Sequence, residues 1–190
     1  MDAVEEAQRR FPRHDPRHRI EHCGISRPDQ LDRVAALGLI PSPQGTFVTE
    51  TGDGLLAAVG LDRAEMVYRM SSWLERGIVL PGSTDAPIVG ANPIASIHAM
   101  VNRRTERGQA LALAEGITPE QALRAYTYGS AYAAHEETSK GTLARGMLAD
   151  IAVLSDDLLS VAPDQIDRLS VGATIVGGEL LHDSGAVTSR

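Results

Sequence analysis

Apolar residues recur at helical spacing in several stretches separated by short apolar runs, and this alternation sets out the architecture. Val4, Ala7 and Phe11 place a helix over residues 4 to 10, before Pro12 and Pro16 break the chain. The run HRIEHC, His18 to Cys23, predicts a short strand. Ser26 and Asp29 form an S-x-x-D helix start with Pro28 in the first turn. Leu31, Val34 and Ala35 share the apolar face of that helix, and Gly38 closes it. Leu39 and Ile40 open a second strand that runs into PSPQG. Residues 52 to 60 are less regular, after which Asp62 and Glu65 repeat the start signal. Met66, Val67, Met70 and Leu74 then stripe one helix that ends at Gly77. IVLPG, Ile78 to Gly82, predicts a third strand, and Asn92-Pro93 caps a helix with Ile94, Ile97 and Val101 inward. Thr118, Pro119 and Gln121 start a last helix reaching to about Ala134. Strands separated in this way by helices are expected to be parallel, with right-handed crossovers.

Beyond residue 139 the pattern changes. Lys140 to Leu143, Asp150 to Leu154 and Ala173 to His182 predict short strands, with Gly177-Gly178 as a hairpin turn. The expected organisation is an α/β unit over 1–139 and a β segment with a tail over 140–190.

Composition narrows the function classes. The 190 residues carry 18 Lys plus Arg against 25 Asp plus Glu, a net charge of −7. An acidic chain lacks the basic footprint that phosphate neutralisation needs, so nucleic acid is not an expected partner. With 43% apolar residues a packed core is affordable, and no apolar run approaches the roughly 18 residues of a membrane span. The opening MDAVEEAQRR is charged where an export signal is apolar, and Cys23 is the single cysteine. A cytoplasmic protein without a membrane anchor is the expectation.

Six histidines are present, and His22 has the most suggestive address. It ends its predicted strand, at the edge where parallel α/β folds build sites. Regular alternation would put His18, Ile20 and His22 on one face and Cys23 on the other. Alone, His22 reads more simply as a structural histidine. Asp85, in PGSTDAP, has the same address two strands later, and alone reads as an Asp turn. Together, an imidazole and a carboxylate on one rim suit a borderline cation such as zinc, although two ligands do not complete a site. His98 falls on an apolar helix face and reads as buried. His14, His135 and His182 read as surface residues, and Arg103 with Arg104 as a solvated helix end rather than a site for an anionic substrate. Ser83 lacks a neighbouring histidine base, and neither a phosphate loop nor a C-x-x-C pair is present.

The ordered series RHRIEHC, PSPQ, GSTDAP, ALRAYTYGSAYAA, KGTLARGMLADIAVL and TIVGGELLHD resembles the C-terminal portion of metal-dependent amidohydrolases. The resemblance is to family 3, in the group similar to N-substituted formamide deformylases and N-acyl-amino-acid hydrolases, and it runs from about Val4 to Asp183. It implies a partial (β/α)8 TIM barrel, about the last three βα units, followed by C-terminal strands of a small β-sandwich. It implies that His22 binds metal at the end of the sixth strand. It also implies that Asp85, after the eighth, binds metal and transfers the proton of the attacking water. Thr84 is an insertion relative to the commoner GSDAP. The family's His-x-His pair, bridging lysine or acid, and fifth-strand histidine have no counterpart, so the chain reads as about three-eighths of a barrel.

The implied function is metal-dependent hydrolysis of a non-peptide carbon–nitrogen bond in a small amide-type substrate, with zinc as the cofactor of the complete enzyme and the isolated chain inactive. The alternative is a non-catalytic structural or complementing subunit that pairs with an N-terminal half or with itself. A third reading is small-molecule binding without turnover.

Overall fold

The computed structural model describes residues 1–187. Helix α1 (Asp2–Arg10) precedes a parallel β–α–β unit: β1 (Arg19–Glu21), α2 (Pro28–Ala36) and β2 (Ile40–Ser42). Arg19 pairs with Ile40, Ile20 with Pro41 and Glu21 with Ser42. The turn signals before and after α2 act as expected at one end only. Gly38 adopts φ +61 and closes the helix, but the N-cap is Arg27, whose N–H is taken by the Gln30 side chain at 2.9 Å. Ser26 instead bonds back to the Cys23 carbonyl.

Two elements depart from expectation for tertiary reasons. The apolar stripe from Met66 to Leu74 is not one helix. Four short helices, α3 (Phe47–Glu50), α4 (Gly52–Val59), α5 (Leu61–Ala64) and α6 (Met70–Glu75), occupy this part of the chain. Between α5 and α6, Ile25 pairs with Val67 as an antiparallel bridge, and Tyr68 sits at φ +45. The Met66 carbonyl accepts from Ser26 N–H at 3.0 Å, and Tyr68 N–H donates to the Gly24 carbonyl at 2.9 Å. Those backbone groups cannot also serve a helix. The predicted strand Ile78–Gly82 likewise forms no ladder. It meets β2's chain only at the parallel bridge Gln44–Ser83. Pro41, Pro43 and Pro81 have no N–H to contribute, and the Gly82 N–H is spent on the Ala125 carbonyl at 2.8 Å.

Helix α7 (Pro93–Asn102) starts as predicted, the Asn92 side chain accepting from Ile94 N–H at 3.0 Å. Its last residue is followed by Arg103 at φ +54, fully buried. This corrects the reading of Arg103 as a solvated helix end. Its guanidinium donates to the carbonyls of Val67, Tyr68, Leu111 and Ala112, at 2.9 to 3.2 Å. Arg104 is the exposed member of the pair. Nearby, buried Glu115 accepts from Arg69, from Ser72 N–H and from the Ser72 hydroxyl.

The last helical run is continuous but not uniform: α8 (Pro119–Arg124), a π segment (Ala125–Gly129) and α9 (Ser130–Ala133). Thr118 and Gln121 form the predicted capping box. The π segment coincides with the Ala125 carbonyl accepting both Gly82 N–H and the Ser130 hydroxyl. A widened turn accommodates those extra donors.

Residues 140–142 form a bend, not the predicted strand, with Gly141 standing at φ +92. The sheet that follows is antiparallel, in the order β3 (Ile151–Leu154), β4 (Val171–Val176), β5 (Glu179–Asp183). Gly177 and Gly178, both at positive φ, make the expected hairpin turn. One core joins Leu31, Val34, Val67, Trp73, Ile97 and Met100 to Ile166 from the C-terminal part.

Replacing Arg103 by Met would leave four buried carbonyls short of a donor. We expect a loss of about 3 kcal/mol or more in unfolding free energy, read as a lower urea midpoint with unchanged slope. An unaltered midpoint would show that the clamp contributes nothing net.

Candidate active site

The polypeptide turns sharply where the site begins. β1 ends at Glu21, and His22 and Cys23 take φ +62 and +44, with Cys23 N–H donating to the Glu21 carbonyl at 2.7 Å. The strand alternation expected through His22 therefore stops one residue short of it. Cys23 still does not join His22. Its thiol faces the Ser26 hydroxyl at 3.4 Å, and burial pushes the thiol's pKa up.

Asp85 also has positive φ, +62, and its carbonyl accepts from Ile88 N–H at 2.9 Å. Despite the inserted Thr84, its carboxylate turns toward His22, with Nε2 of the imidazole 4.0 Å from Asp85 Oδ2. Their side chains are about half and one-third exposed, at 51% and 37%, so as an ion pair they contribute little stability.

Gln44, not singled out from sequence, orients the histidine. Its side chain is buried, and its Nε2 donates to the Ser42 carbonyl at 2.9 Å and the Ser83 hydroxyl at 3.4 Å. A carbonyl only accepts, so the amide NH2 must face Ser42 and Oε1 must face the imidazole. His22 Nδ1 lies 3.0 Å from that oxygen and must donate to it. The neutral ring is thereby held as the Nδ1–H tautomer, with the Nε2 lone pair toward Asp85. This is how a second layer prepares a ligating histidine.

A buried relay holds the strand ends in place. Ser96, fully buried in α7, accepts from Thr46 N–H at 3.0 Å. The Tyr126 hydroxyl from the π segment lies 2.5 Å from Ser96 Oγ and 2.8 Å from the Ser83 carbonyl. The carbonyl must receive the tyrosine proton, so Ser96 donates to Tyr126. The relay thus runs from Thr46 through Ser96 and Tyr126 to Ser83, linking the residues that flank Gln44 and Asp85. Burial raises the Tyr126 phenol to about 12, which keeps it a donor. A Cβ at Gly82 would collide with the Tyr126 ring.

Two aromatic residues stand beside the pair. The Phe47 ring lies 6.0 Å from the His22 ring and meets Tyr68 edge-on at 6.2 Å. Tyr68 is buried, and its pKa rises to about 12, from burial first and the Asp85 charge second. No spacing rule would have picked out Tyr68, since its place depends on the break between α5 and α6. The other histidines stay apart from the site: His14, His18, His135 and His182 are exposed, and His98 is half-buried on α7. Among the described residues no third His, Cys, Asp or Glu joins His22 and Asp85 in a metal-binding group. No described helix is long and apolar enough to cross a membrane.

An α/β fold with a pre-oriented imidazole just past the end of β1 and a carboxylate in the loop that follows residues 78–82 is an arrangement suited to hydrolases. A metal-dependent hydrolase from Pyrococcus horikoshii superposes with a TM-score of 0.72 at 31% identity, covering 85% of this chain and 32% of that one. The amidohydrolase family model matches residues 1–182, and the chain belongs to that family. Protein YtcJ of Bacillus subtilis is 27% identical over 186 residues, which is 96% of this chain and 35% of YtcJ. The N-substituted formamide deformylase of Arthrobacter pascens is 28% identical over 185 residues, 96% of this chain and 34% of the deformylase. The chain spans about a third of the length of these relatives.

Replacing Gln44 by Leu would free the imidazole. In the native chain at mildly alkaline pH, two-dimensional ¹⁵N spectra are expected to show His22 protonated on Nδ1. In Gln44→Leu the Nε2–H form should dominate. The same tautomer in both would remove Gln44 from the site.

Proposed function

We propose that this chain supplies two ligands and the proton-transferring base of a metal-dependent hydrolase acting on a non-peptide carbon–nitrogen bond. The observation that carries this reading is the His22 Nε2 to Asp85 Oδ2 separation of 4.0 Å, with Gln44 holding Nδ1 from behind. His22 Nε2 and Asp85 Oδ2, at that separation, would together hold one divalent cation. Imidazole and carboxylate together favour zinc. The pair makes two of the three or four protein ligands such a site takes. Among the described residues no third such ligand joins them. In this reading residues 1–139 form the last three βα units of a (β/α)8 barrel, and 140–190 return to a small β-sandwich.

When bound, the metal lowers the pKa of water toward about 7 and polarises the substrate carbonyl. His22, fixed as the Nδ1–H tautomer, presents its lone pair without losing a proton. Asp85 accepts a proton from the attacking water as oxygen bonds to the carbonyl carbon. It then delivers that proton to the nitrogen as the C–N bond breaks, leaving a carboxylic acid and an amine. The substrate class is a small amide-type molecule.

A second reading rests on the sheet edge. Among the described residues β1 has a strand neighbour, β2, on one side only, and a free parallel edge invites another strand. That edge would accept a complementing polypeptide or a second copy of the chain.

Zinc titration followed by histidine ¹⁵N shifts tests the first reading. His22 Nε2 should move in a saturable way, and His22→Ala or Asp85→Ala should weaken zinc at least tenfold. Zinc affinity that survives both substitutions would place the metal elsewhere.

A further inference from the structure

We propose that Tyr68 and Phe47 form the recognition corner for a neutral amide bearing an apolar substituent, the Tyr68 hydroxyl donating to the amide carbonyl oxygen and Phe47 packing on the substituent. This deepens the hydrolase reading and rests on it for the placement of the reacting bond.

Three observations meet here. The Tyr68 side chain is 4% exposed, no hydrogen bond among the described residues uses its hydroxyl, and that hydroxyl is not one of the buried polar atoms left unpartnered, so it meets solvent as an available donor. The hydroxyl lies against Gly24, about 3.5 Å from where a Cβ there would stand, two residues beyond His22. Phe47, half-buried, lies between the His22 and Tyr68 rings at 6.0 and 6.2 Å. Phe47 therefore connects the His22 imidazole to the tyrosine that carries the donor.

The tyrosine is built into its position rather than left to settle there. Its backbone is held at φ +45 by the Gly24 carbonyl on one side and by Arg103 on the other, the guanidinium donating to the Tyr68 carbonyl at 3.2 Å. Left-handed backbone at a bulky aromatic residue is unfavourable and persists where its surroundings enforce it. The same Arg103 is committed to four carbonyls and is unavailable to an anionic substrate. With Asp85 adding negative charge beside the phenol, a neutral ligand fits this corner and a carboxylate does not.

Binding of acetanilide and acetamide to the metal-free chain, in chelator and followed by NMR, tests the assignment. Acetanilide should bind more tightly than acetamide, and acetate should not compete. Phe47→Ala should weaken acetanilide about fivefold to tenfold and leave acetamide unchanged. Tyr68→Phe, which keeps the ring, should weaken both amides by a similar factor with an unchanged urea midpoint. No saturable amide binding, unchanged binding in Tyr68→Phe, or equal losses for both ligands in Phe47→Ala would overturn the proposal. Because metal is excluded, failure of the His22–Asp85 zinc reading would leave these affinities intact, and failure here would leave the zinc titration intact.

Discussion

A single buried cation organises the half of the molecule that carries the site. Arg103 takes the left-handed conformation past the end of α7 and places its guanidinium against carbonyls from two separate segments, 67–68 and 111–112. Burying a guanidinium is costly, and desolvation draws its pKa down to about 10 while Glu115 opposes the shift. At neutral pH it keeps its proton, and the four carbonyls return part of the desolvation cost. The consequence is geometric. Segment 66–68 is pulled out of helix and left free to bond the turn 24–26, which directly follows His22.

From there the polar interior continues toward the rim in fixed steps. Ser96 and Tyr126 reach the strand ends from two different helices, and each donor and acceptor in that relay has one consistent assignment. Gln44 then converts backbone position into imidazole orientation. None of these groups contributes charge to the reaction proposed. Their contribution is that His22 and Asp85, both on tight left-handed turns and both partly exposed, face each other at all.

The legible features were those encoded within a few residues. The Thr118–Gln121 box, the Asn92-Pro93 start, Gly38 at a helix end and the Gly177-Gly178 turn are each local bargains between a side chain and nearby backbone. His22 was legible as a residue at a strand end and Asp85 as a loop residue after an apolar run that forms no ladder, and a family resemblance attached roles to them that are proposals. Gln44 stands out in the sequence only as part of PSPQ, because a glutamine has no spacing that marks it as an orienting group. Tyr68 was hidden inside an apolar stripe that reads as continuous helix.

Sequence alone determined the α/β class, the family and the two residues at the centre of the candidate site, since periodicity and short motifs are properties of neighbours along the chain. Tertiary structure decided where helices break, which strand forms no ladder and which tautomer His22 adopts. Those outcomes turn on which distant group claims each backbone N–H and C=O. Met66 and Tyr68 bond to 24–26, Gly82 bonds to Ala125, and Arg103 gathers four carbonyls. A buried polar group must be satisfied by whatever partner lies within reach, and reach is set by the folded chain.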